Sequence, residues 1–83
     1  MGKIEELKQL LQQVSQESRE AAQHLDGLTG KLRKSQGTAQ QVGGGLGKGI
    51  AQALAESEKQ AKQAGQSLMQ LSQKARQEMN RLP

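Results

Sequence analysis

The chain has no cysteine, phenylalanine, tyrosine or tryptophan. Without cysteine there is no disulfide framework and no thiolate metal site, and the redox compartment is left open. Without aromatics the chain lacks the side chains that bury the most surface per residue. Any core must come from Leu, Ile, Val, Met and Ala, and hydrophobic residues of all kinds make up only 33% of the sequence. No apolar run approaches the roughly 20 residues needed to span a bilayer. The segment Ile4 to Val14 is amphipathic rather than a uniformly apolar signal core. The expectation is a protein with no membrane span, either secreted without a cleaved signal peptide or cytoplasmic.

What is present is a heptad of apolar and small residues that breaks once. It runs Ile4, Leu7, Leu11, Val14, Ser18, Ala21, Leu25, Leu28, Leu32, then a glycine cluster, then Ile50, Leu54, Ser57, Ala61, Ala64, Leu68, Leu71, Ala75, Leu82. Alternating steps of three and four place these side chains on one narrow stripe of a helix. The reading is all-α: an antiparallel two-helix hairpin in a single domain, residues 1–83. The first helix is expected over about 3–40, a Gly-rich turn over 43–49 and the second helix over about 50–81.

Gly43, Gly44, Gly45, Gly47 and Gly49 are assigned to the reversal, because glycine tolerates the positive φ angles that a tight turn requires. Glu5 and Glu6 sit in the first turn of helix one. Glu56 and Glu58 are placed toward the start of helix two, and Lys74, Arg76 and Arg81 toward its end, matching the helix dipole.

A hairpin this small and this narrow in its apolar stripe buries little by itself. It is expected to pair into a four-helix bundle, as a homodimer or as a heterodimer with another helical protein. The expected interface is Leu7, Leu11, Val14, Leu25, Leu28, Leu32, Leu54, Ala61, Ala64, Leu68 and Leu71. Small residues near the middle of each stripe, Ser18 and Ala21 in one and Ala61 and Ala64 in the other, suit a waist where a partner helix crosses closely.

The net charge is +4. Between Gly27 and Ala55 the charged residues are Lys31, Arg33, Lys34 and Lys48. The remaining charges cancel, so the excess lies at the turn end of the rod. A basic tip attracts anions, including acidic protein surfaces and nucleic acid. Four cations with no aromatic platform for base stacking make a sparse nucleic-acid surface.

No cofactor, metal or catalytic site is expected. The glycine cluster is not a phosphate-binding P-loop: Val42 stands where the first glycine belongs, and Gly49 follows Lys48 where a hydroxyl belongs. His24 has no second ligand at metal spacing, and the serines have no base that the sequence places near them. Met69 and Met79 lie at or beside the second stripe, where methionine fills gaps.

A short, cysteine-free hairpin of two long helices resembles the small secreted helical-hairpin proteins of type VII secretion systems, the Trp-X-Gly family. The likeness covers nearly the whole chain in architecture. The family's Trp-X-Gly turn has no counterpart beyond Leu46-Gly47, an apolar residue followed by glycine. Its C-terminal export signal requires an aromatic, which Arg76 to Pro83 does not contain. The resemblance implies side-by-side helical dimers and a role as a secretion-associated partner or chaperone-like protein. The alternative is a cytosolic dimeric bundle whose basic tip contacts nucleic acid or another acidic partner.

Overall fold

The computed structural model describes residues 2–83. It is an all-α hairpin: helix α1 spans Lys3–Val42 and helix α2 spans Gly44–Arg81. There is no strand among the described residues. Glu5 and Glu6 occupy the first turn of α1, where the helix dipole favours acids. Arg81 occupies the last turn of α2, where it favours cations.

The reversal is shorter than the glycine cluster suggests. Gly43 alone lies outside the helices, with φ 75° and ψ −173°. Gly44 has φ 66° but already belongs to α2, as do Gly45, Gly47 and Gly49. The expected turn over 43–49 is therefore corrected to one residue, and α2 begins at Gly44 rather than near Ile50. Backbone hydrogen bonds hold both sides of the turn: Gly43 N–H donates to the Ala39 carbonyl at 3.3 Å, and Gly47 N–H donates to the Gly43 carbonyl at 3.1 Å.

Gly47 is buried at the start of α2, and a Cβ there would run into the Ala39 carbonyl. Close backbone approach thus requires glycine at this position. Packing against α1 outweighs the weak helix propensity of the segment. With α2 starting at Gly44, Glu56 and Glu58 lie well inside the helix and do not serve its N-terminus.

The seam between the helices follows a heptad whose fully buried members are small, with leucines half-buried beside them. Ser15, Ser18, Ala22, Thr29 and Ala39 are buried in α1, facing Gly47, Ala61, Ser72 and Ala75 of α2. Half-buried residues complete the rows: Leu11, Leu25, Leu32 and Gln36 in α1, and Ala51, Leu54, Glu58, Gly65, Leu68 and Met79 in α2, with Leu82 just past its end. Within each helix the steps are three and four without interruption. A repeat of this period makes paired helices wind around one another. The molecule measures 63 × 14 × 13 Å. Its nearly equal transverse extents fit a wound pair better than a flat ribbon.

Polar groups in the seam are satisfied. Ser72 Oγ donates to the Ser15 carbonyl at 2.8 Å. That uses the single hydroxyl hydrogen of Ser72, so Ser15 Oγ donates to Ser72 Oγ across 3.0 Å. Thr29 Oγ1 donates to the Leu25 carbonyl at 2.9 Å within its own helix. No buried side-chain polar atom among the described residues lacks a partner.

Candidate interaction face

The seam divides the expected interface into two groups. Leu11, Leu25, Leu32, Leu54, Ala61 and Leu68 are buried or half-buried between α1 and α2. Leu7, Val14, Leu28, Ala64 and Leu71 are exposed. The sequence stripe therefore serves two surfaces, and the seam has turned away from it toward Ser15, Ala22, Thr29, Gly65 and Ser72. These residues were missed because serine, threonine and glycine carry no hydropathy signal and alanine only a weak one. Their seven-residue spacing was the available clue.

The outer residues form one row per helix: exposed Leu7, Val14 and Leu28 with half-buried Ala21 in α1, and exposed Ile50, Ser57, Ala64 and Leu71 in α2. Each row sits one helical step to the same side of the seam. The two helices run in opposite directions, so their rotational senses mirror one another and both rows fall on one face of the hairpin. Leu7, Val14, Leu28, Ile50 and Leu71 are 39–46% exposed, intermediate between a core and a free surface position. At equal height along the rod, Val14 neighbours Leu71, Ala21 neighbours Ala64, and Leu28 neighbours Ser57.

The opposite, more polar face carries charged and amide side chains around a floor of Ala22, Leu25, Ala61 and Met69. It carries an open groove of about 640 Å³ lined in part by Gln23, Asp26, Lys62, Gln66, Met69 and Gln73. Beside it, Glu58 ties the helices together. Its carboxylate accepts from Lys62 Nζ at 3.0 Å and Arg33 Nη2 at 3.4 Å, and from Gln36 Nε2 at 2.9 Å. The Glu58 side chain is only 15% exposed. These donors, Lys62 first and then Gln36 and Arg33, hold its pKa down to about 2 against the opposing effect of desolvation.

The basic tip is not one patch. Arg33 is engaged with Glu58 on the polar face, and Lys48 lines a smaller groove on that same face. Heptad position puts Lys31 beside the apolar face and Lys34 on the outer side of α1. The four cations therefore lie on three sides of the rod and form no single patch. No helix among the described residues is long and apolar enough to cross a membrane. No group of three or more His, Asp or Glu side chains among them is arranged to hold a metal ion. Comparison with protein-family models, curated proteins and solved structures gives no match.

Proposed function

We propose that the chain is a non-catalytic protein–protein interaction module whose contact surface is the apolar face, and that a second helical hairpin covers it to make a four-helix bundle. The observation that carries this reading is the pair of exposed apolar rows that share one side of the rod. A 63 × 14 Å face offers on the order of 900 Å², comparable to the roughly 800 Å² that each partner contributes to a standard interface.

A second copy of this chain fits the face with its turn at the opposite end. A two-fold axis through Ala21 and Ala64 sets Val14 and Leu71 against Leu28 and Ser57 of the other copy, so both flanking layers are mainly apolar. This orientation keeps the two sets of Lys31, Arg33, Lys34 and Lys48 apart. The reverse orientation brings Lys31, Lys34 and Lys48 of both copies together at one end, which is unfavourable. Sedimentation of the wild type and Leu71→Asp tests the reading. A dimer that becomes a helical monomer in the variant supports it. A wild type that is monomeric at every concentration and binds no other helical protein overturns it.

The resemblance to type VII secretion partners supports a more specific role, a secretion-associated partner or chaperone-like hairpin. It rests on architecture alone. Intact chain in the medium of unlysed host cells is the expected result, and strict cytoplasmic retention removes it.

A further inference from the structure

We propose that the hairpin opens at Gly43 and exchanges helices with a second copy, giving a straight antiparallel dimer in which α1 of each chain packs on α2 of the other. Three independent observations point to this partner.

The connection is one residue long. Both arms are helical up to Gly43, and only Gly43 and Gly44 have positive φ, at 75° and 66°. Turning these two residues into the right-handed helical region joins α1 and α2 into one helix. The other glycines of the cluster are already helical, so opening asks no new helix formation of them.

The seam is also in phase across the turn. Its members at the junction are Gln36, Ala39, Gly43, Gly47, Ala51 and Leu54, with steps of 3, 4, 4, 4 and 3, one residue more than the alternation within each helix, which a locally unwound, straight stretch absorbs. Gln36 and Leu54 are 18 residues apart, which is five turns at about 3.6 residues per turn. A hairpin does not require this, because its turn can absorb any rotation between the arms. A straight helix does, since its contact row must stay on one side. The pairing register agrees: Ser15 meets Ser72 and Gly47 meets Ala39, so both pairs are centred on Gly43–Gly44. A two-fold axis there reproduces the same contacts between two chains.

The third observation is exposure. Leu46 at 73% and Val42 at 67% are the most exposed of the large apolar residues among those described, and they flank the hinge. In the straight form, Val42 of one chain falls beside Leu46 of the other across the two-fold axis. On one continuous helix Val42 and Leu46 also stand four residues apart, the spacing at which apolar side chains meet.

Exchange is independent of the apolar-face reading, and disulfide trapping separates the two. The chain has no cysteine of its own. In Ser15→Cys/Ser72→Cys, oxidation by diamide after refolding links residues whose hydroxyls lie 3.0 Å apart. A closed hairpin yields a monomer with one internal disulfide, even when two hairpins associate face to face. An exchanged pair yields a covalent dimer with two disulfides and no free thiol.

The dimer fraction is expected to rise with protein concentration during refolding. It is expected to rise at least about tenfold further in the Gly43→Ala/Gly44→Ala background, because alanine disfavours positive φ. Small-angle scattering of the trapped dimer is expected to give a length of roughly 120 Å, from 1.5 Å per residue, against 63 Å for the closed form. Internal disulfides alone, at all concentrations and with either hinge sequence, overturn the proposal. A covalent dimer that stays near the closed length also overturns it.

Discussion

Ser72 reaches the backbone of Ser15 across the seam, donating to its carbonyl at 2.8 Å, while the Ser15 hydroxyl donates back to Ser72 Oγ at 3.0 Å. Leucine pairs slide along one another with little penalty, whereas a buried hydroxyl must find its partner or remain unsatisfied. The two serines fix the stagger of the helices in the half of the rod far from the turn. Ser72→Ala leaves Ser15 Oγ without its acceptor and is expected to destabilise the hairpin by about 1 kcal/mol. Adding Ser15→Ala to it is expected to cost little more. Urea unfolding of both single variants and the double variant gives the coupling directly, and additive effects would contradict the pairing.

Glu58 makes stability depend on acid. Its pKa is lowered from 4.5 to about 2 in the folded chain, so the unfolded state takes up a proton first as the pH falls. Its contribution is present above about pH 4.5 and is lost as the pH drops toward 2. Glu58→Gln is expected to flatten the thermal midpoint over that interval relative to the wild type. An unchanged acid limb would show that the three donors do not hold the carboxylate in solution.

Leu28 and Leu68 belong to the same sequence stripe but to different surfaces. Leu28→Asp, on the open face, is expected to keep the far-ultraviolet helical signal and weaken association at least about tenfold. Leu68→Asp places a charge in the seam and is expected to destabilise the hairpin itself by about 3 kcal/mol or more. Circular dichroism combined with sedimentation separates the outcomes. Equal effects in both assays would merge the two surfaces.

Glycines of one cluster have opposite sensitivities. Gly45→Ala and Gly49→Ala meet nothing within 4 Å and are each expected to stabilise by about 0.5–1 kcal/mol, from the poor helix propensity of glycine. Gly47→Ala drives its Cβ against the Ala39 carbonyl and is expected to destabilise by about 1–3 kcal/mol. Thermal melts of the three variants check the ordering.

Periodicity made the hairpin legible, because Ile4 through Leu32 and Ile50 through Leu82 hold a helical period over nearly their whole length. The seam was harder to read. Hydropathy favours Leu7, Val14 and Leu28, whereas the contact between the helices uses Ser15, Ala22 and Thr29, which allow close approach and satisfy their own hydroxyls. The start of α2 was missed for the opposite reason. Intrinsic propensity speaks against a helix over Gly44–Gly49, and tertiary packing at Gly47 overrides it. The Glu58 cluster draws on Arg33 and Gln36, 25 and 22 positions away. Its composition gives no sign of the convergence until the helices are paired.

The one-residue reversal at Gly43 also determines how the rod answers a mechanical load. Lys3 and Arg81 lie at the same pole, with the turn at the other. A pull separating the two ends loads the outermost seam layer alone and passes to the next only when that one parts. The hairpin therefore peels open under a small, nearly constant force, like a zipper, and does not resist as all its layers would together in shear. Ser15 and Ser72 stand early along that line of failure, and Gly47 against Ala39 is the last layer to give way.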